Sequence, residues 1–220
     1  MNRNIHMSTG PHEGRNILMA GEELGQARAA MLMIHGRGVS ARDILSLYTE
    51  LQPRGFVYLA PQAAGSSWYP RSFLAPLTSN EPELSSALAV IGNTLARLKE
   101  AGIPEERVIL LGFSQGGCLV LEFAARNARR YGGIAGLSGG VIGPKDIVRD
   151  YNGSLNGTPI ILGCSDRDPH VPKERVDFTA ELLQNLDADV TKRIYPNMGH
   201  TVNDEEVDLV NAMMRPLLGA

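Results

Sequence analysis

Cysteine is nearly missing from this chain: Cys118 and Cys164 are the only two in 220 residues, too few for a disulfide framework. Both read as small buried apolar side chains, since free Cys is among the most buried residue types, and a cytoplasmic protein is the simplest expectation. Aromatics make up just 5% of the chain, with one tryptophan. No cluster of five or more basic residues occurs, and a net charge of −3 with a pI near 6.0 gives nucleic acid little to bind. No apolar run approaches the roughly 20 residues of a membrane span. Residues 1–14 are polar and lack the apolar core of a secretory signal. H-E-x-x-H, paired C-x-x-C, P-loop and G-x-G-x-x-G patterns are all missing, so no metal and no cofactor is expected.

What the chain does have is an ordinary globular composition, 43% apolar and 20% charged. Its length suits one domain, expected over 15–220 behind a polar tail at 1–14. Runs rich in Val, Ile and Leu at 30–35, 56–60, 107–112, 133–138, 159–163 and 190–195 read as strands buried on both faces. A less apolar run at 16–20 reads as an edge strand. Helical patterns fall between them at 41–51, 83–101, 115–127, 173–186 and 204–218. The second carries Leu84, Leu88, Ile91, Leu95 and Leu98 on one stripe and ends at Gly102; Ser40 and Asn203 are N-cap candidates for the first and last. Alternating strands and helices predict an α/β fold with a mostly parallel central sheet and helices on both faces. The irregular stretch 61–82 stands out, because compact domains rarely carry one without a use.

Between the strand at 107–112 and the helix at 115–127 lies Gly112-Phe113-Ser114-Gln115-Gly116, a match to G-x-S-x-G. A serine on so sharp a strand-to-helix turn is forced into an unusual backbone conformation, its hydroxyl exposed above the sheet, and the glycines relieve the clash. A serine needs a base, and the base an orienting carboxylate. On this architecture they follow the serine in the order acid, then histidine, at the carboxyl ends of later strands. The strand at 159–163 leads into Asp166-Arg167-Asp168, and the strand at 190–195 leads into Gly199-His200. His200 is therefore the expected base; the residues alone leave Asp166 and Asp168 both open as its partner. His6 and His12 fall in the polar tail, His35 precedes the serine, and His170 lies inside the acidic loop. Backbone N–H donors for an oxyanion are expected from Gln115, at the helix N-terminus, and from Arg37 in the glycine-rich turn His35-Gly36-Arg37-Gly38.

These motifs resemble the carboxylesterase/phospholipase family that includes the acyl-protein thioesterases. The match rests on His35-Gly36-Arg37-Gly38, on Gly112-Phe113-Ser114-Gln115-Gly116-Gly117, on the segment from Asp166 to Pro172, and on Gly199-His200; Ser66-Ser67-Trp68-Tyr69-Pro70 looks like the family's tryptophan loop. The resemblance implies an α/β-hydrolase fold without a large cap domain and a Ser114, Asp168, His200 triad. It selects Asp168 because the family places its acid immediately before Pro-x-Val-Pro. It also implies oxyanion amides at Arg37 and Gln115. Arg37 stands where the eukaryotic thioesterases carry leucine, which places the chain nearer the bacterial small esterases and away from protein depalmitoylation.

The expected reaction is hydrolysis of carboxylic esters with short- to medium-chain acyl groups, with a small-molecule ester as partner. Thioesters and lysophospholipids would call on the same residues. A serine at the elbow counts against a dienelactone-hydrolase-like enzyme, where cysteine is usual, and the complete triad counts against a non-catalytic ligand-binding protein. Trp68, Tyr69, Phe73 and Leu74 are candidates to line the substrate pocket, the alternative being that they pin their loop to the core. Arg37 and Arg71 are candidates to favour substrates carrying an acid or phosphate. A homodimer through an apolar patch near the open site is permitted, but no feature demands it.

Overall fold

The computed structural model describes residues 10–51 and 54–219; residues 1–9 of the expected tail, His6 among them, lie outside these. The strands are β1 (Ile17–Gly21), β2 (Ala29–Ile34), β3 (Phe56–Pro61), β4 (Val108–Phe113), β5 (Gly133–Leu137), β6 (Pro159–Ser165) and β7 (Asp189–Tyr195). The helices are α1 (Ala41–Leu45), α2 (Glu83–Glu100), α3 (Gln115–Arg126), α4 (Lys173–Asn185) and α5 (Asp204–Met214). The strands form one sheet in the order β1-β3-β2-β4-β5-β6-β7. β1 pairs antiparallel at one edge and every other pairing is parallel. The chain leaves β2 for β3 on one side and returns past it to β4 on the other. That reversal opens a crevice between the carboxyl ends of β2 and β4, the place where such sheets hold ligands.

The period-two alternation of the strands divides the core into two layers. Ala30, Leu32 and Ile34 of β2 face the layer made by α2, α3 and α4, while Ala29, Met31 and Met33 face α1 and α5. α3 is buried from Gln115 to Ala125, and the carboxylate within that span, Glu122, is paired with Arg126 and Arg149. Gly102 takes a left-handed φ of 89° just past α2, and Ile103 N–H reaches back to Leu98 O at 2.9 Å, closing the helix as its sequence predicts.

Four expectations need correction. The first helix is shorter than 41–51: α1 ends at Leu45 and a 3-10 turn follows over Ser46–Thr49, where the Ser46 and Thr49 hydroxyls bond back to the carbonyls of Asp43 and Ser46. The last helix stops at Met214 and continues as 3-10 turn Arg215–Leu218, because Pro216 lacks an N–H. β7 is half exposed rather than buried on both faces, since it is the second sheet edge and carries Lys192 and Arg193. Finally, His12 does not belong to a solvated tail: it is 2% exposed, and its ring lies 5.3 Å from that of Trp68.

Candidate active site

The elbow forms as its motif requires. Ser114 has φ 56° and ψ −118°, strained for a residue with a side chain and held by Ser114 N–H to Leu137 O and Cys118 N–H to Ser114 O at 2.8 and 2.9 Å. The backbones of β2, β4 and α3 approach so closely here that a Cβ on Gly116 would run into the Ile34 carbonyl, and one on Gly112 into that of Gly116. Glycine is needed at both positions for proximity alone.

The loops after β6 and β7 bring the other two side chains to the serine. His200 Nε2 lies 2.9 Å from Ser114 Oγ, and its Nδ1 lies 2.7 Å from Asp168 Oδ2. Asp168 Oδ1 also accepts the amide N–H groups of His170 and Val171 at 2.8 and 3.0 Å. Burial by itself would raise the Asp168 carboxyl, but the bonds from His200 and those two amides outweigh it and hold the group below its ordinary value. An ionised Asp168 accepts the Nδ1–H, which leaves Nε2 free to accept the serine proton. Asp166 plays a different part. Its Oδ1 accepts the Asn197 N–H at 2.8 Å, bracing the loop that carries His200. The imidazole is flanked by Phe113 and His170, with ring centroids at 4.9 and 4.8 Å.

Arg37 and Gln115 line the same cleft as the serine, and their backbone amides have no hydrogen-bond partner among the described residues. The Gln115 amide is the first of α3, where no intrahelical acceptor exists. His35 sets the other: its Nδ1 donates to Gly36 O at 2.7 Å while Nε2 accepts the Ala63 N–H at 3.1 Å, which orients the Gly36–Arg37 peptide. The side chains of both oxyanion candidates then hold the tryptophan loop. Gln115 accepts the Trp68 N–H and donates to Tyr69 O, both at 2.8 Å. Arg37 donates to Pro70 O, Tyr69 O and Arg71 O at 3.0, 2.8 and 2.7 Å. Three of its five donors are thus spent on backbone carbonyls, so Arg37 clamps the loop, and the expectation that it reads an anionic substrate is withdrawn.

Over these groups opens a cleft of about 570 Å³. Of the four candidates to line it, Tyr69 and Phe73 border the cleft. Trp68 and Leu74 do not. Trp68 is fully buried with its indole N–H on His35 O at 2.9 Å, and Leu74 packs against the core; both pin the loop from beneath. The sequence reading missed Val39, Phe113, His170 and Val171 as lining residues. Two of these had a signal, Phe113 as a variable position of G-x-S-x-G and His170 by its closeness to Asp168. Cys118 is buried at the cleft, the small buried side chain the sequence leads one to expect, and burial pushes its thiol up to about 12. No group of three or more His, Cys, Asp or Glu among the described residues could hold a metal ion.

The profile of the phospholipase/carboxylesterase family matches residues 22–217. The chain belongs to that family. It is accordingly an enzyme of the carboxylic ester hydrolase type, with the α/β-hydrolase fold and no large cap among the described residues. A crystal structure of a phospholipase/carboxylesterase from Dyadobacter fermentans DSM 18053 is similar over 95% of this chain and 99% of its own, at 41% identity and a TM-score of 0.89. A probable carboxylesterase SOBER1-like of Arabidopsis thaliana is 28% identical over 86% of this chain and 79% of its own length. Acyl-protein thioesterase 1 of Gibberella zeae is 38% identical over 57% of this chain, and the match spans 54% of that relative. No helix among the described residues is long and apolar enough to cross a membrane.

Proposed function

We propose that this member of the family hydrolyses small carboxylic esters with short- to medium-chain acyl groups through an acyl-enzyme on Ser114. The observation that carries this reading is the Ser114–His200–Asp168 chain of hydrogen bonds, 2.9 and 2.7 Å long, at the floor of an open cleft. His200 Nε2 takes the Ser114 proton as Oγ attacks the ester carbonyl. The Arg37 and Gln115 amides receive the negative oxygen of the tetrahedral intermediate. His200 then gives its proton to the departing alcohol, and the acyl group stays on Ser114. Water enters, loses its proton to the same nitrogen, and releases the acid. Asp168 stays ionised throughout and steadies the imidazolium.

Hydrolysis of p-nitrophenyl acetate, butyrate and octanoate by wild type and Ser114→Ala, with mass spectrometry after a fluorophosphonate probe, tests the proposal. Wild type is expected to turn over the shorter esters and to take one adduct, on Ser114. The variant should lose about 10⁴-fold or more in kcat and take no adduct. Well-folded wild type with neither turnover nor adduct would defeat the reading in favour of ligand binding without catalysis. The Gibberella zeae relative's thioesterase name supports a second reading, in which the same atoms cleave thioesters or lysophospholipids. Relative kcat/KM on matched ester, thioester and lysolipid panels separates the two.

A further inference from the structure

The charge of the cleft runs against that of the molecule. The chain carries −3 overall, yet the residues lining the cleft include Arg37, Arg71, His170 and His200 and no aspartate or glutamate. The imidazoles contribute positive charge or none. Asp168, the carboxylate nearest the chemistry, has no exposed side-chain surface and lies beneath His200 with two backbone amides on it, so its single charge offsets only one of the two arginines. Arg37 is held in place by its three carbonyls. Arg71 differs: its backbone N–H is fixed to Asn80 Oδ1 at 2.8 Å, but its guanidinium has no hydrogen bond or ion pair among the described residues. Arg126, Arg129 and Arg193, by contrast, each face a glutamate. Much of the remaining lining is apolar, with Val39, Phe73, Phe113 and Val171 around the serine. Low-dielectric walls of this kind focus the field of an unpaired charge into the cleft, and a guanidinium fork matches a carboxylate in geometry.

We infer that the site selects esters bearing a carboxylate on the acyl or the alcohol portion, with Arg71 as the residue that reads it. This rests on the esterase reading above and adds a substrate class to it. Two matched pairs test it: p-nitrophenyl hexanoate against mono-p-nitrophenyl adipate for charge on the acyl side, and p-acetoxybenzamide against p-acetoxybenzoate for charge on the alcohol side. The quantity read is the anionic-to-neutral ratio of kcat/KM. On at least one pair this ratio is expected to fall about tenfold in Arg71→Ala and further in Arg71→Glu, as removal and reversal of one charge require. Added salt should lower it in wild type. A ratio within about twofold of wild type in Arg71→Ala on both pairs overturns the inference. Equal ratios in the Ala and Glu variants also overturn it, because loop packing rather than charge would then be at work. Absence of any ester turnover, with no fluorophosphonate adduct on Ser114, would instead remove the esterase reading underneath, which is a distinguishable result.

Discussion

At the scale of single residues, the two oxyanion candidates do double duty. Each offers a backbone N–H to the site and uses its side chain to hold residues 67–71 over it. The consequence for Arg37 is specific. Arg37→Leu removes three charge-assisted bonds to loop carbonyls, each worth roughly 1.5–3 kcal/mol where buried and less where exposed. It is expected to lower kcat/KM about tenfold on neutral and anionic esters alike, since a tenfold loss needs only about 1.4 kcal/mol of misplaced geometry. A loss confined to anionic substrates would contradict the clamp and restore Arg37 as a reader of charge. Arg71, whose guanidinium has no partner among the described residues to lose, is expected to behave in the opposite way. Two arginines on the rim of one cleft are alike in the sequence; only the carbonyls of Tyr69, Pro70 and Arg71, folded back toward Arg37, distinguish them.

Among the elements, the loop from β7 to α5 carries His200 and is tied down at both ends. Asp166 accepts the Asn197 amide at its start. At its end, Asn203 and Glu206 exchange hydrogen bonds as a capping box for α5, 2.9 Å in each direction. Asn203 was legible as a cap in the sequence, but the burial of Glu206 was not. Glu206 is fully buried against Gly163, and its Oε1 has no hydrogen-bond partner among the described residues. Burial raises its carboxyl to about 7, the amide bond to Asn203 opposing and the charge of Glu205 adding to it. A folded-state value above the unfolded one means that this group's contribution to stability is complete below the unfolded value of 4.5 and is lost as pH rises through about 7. Glu206→Gln, which keeps an acceptor for Asn203 and cannot ionise, should therefore raise stability at pH 8 by about 1–3 kcal/mol and leave it little changed at pH 5. Urea unfolding midpoints at the two pH values decide the matter, and an equal effect at both would show that ionisation of Glu206 is not the cause.

Over the whole molecule, the tryptophan loop is joined to distant parts of the chain by two neutral histidines. His12 Nδ1 accepts the Ala64 N–H at 3.0 Å and its Nε2 donates to Trp68 O at 2.9 Å. His35 bonds in the same fashion to Ala63 and Gly36. Burial lowers the pKa of both. Around His12, the Trp68 carbonyl and Glu83 oppose the shift and Arg15 assists it; around His35, the Gly36 carbonyl and Asp43 oppose it and His12 assists it. Since the folded values lie below the unfolded 6.5, the stability these rings provide is present above pH 6.5 and is lost as pH falls through the folded values. Wild type should thus lose stability on acidification below pH 6.5, and His12→Gln should show a flatter dependence. Parallel urea curves for the two proteins between pH 7.5 and 5 would rule out His12 as a contributor.

Much of this protein was decided by the sequence itself. Runs of Val, Ile and Leu separated by helical stripes specify a parallel sheet between two helical layers, because local periodicity dictates which faces are buried. Gly112, Ser114 and Gly116 belong to one turn, so their spacing is also a local matter. What the chain order could not supply was the content of contacts across long separations. Asp168 rather than Asp166 reaches His200 because of how two loops meet above the sheet, a choice the residues alone left open and only the family resemblance anticipated. Trp68 sank beneath its loop, while His12 left its expected tail to pack against it. Arg37 turned from the substrate to backbone carbonyls. In each case a polar group met its partner across a long stretch of chain, and which partner lay within reach was a property of the tertiary structure alone.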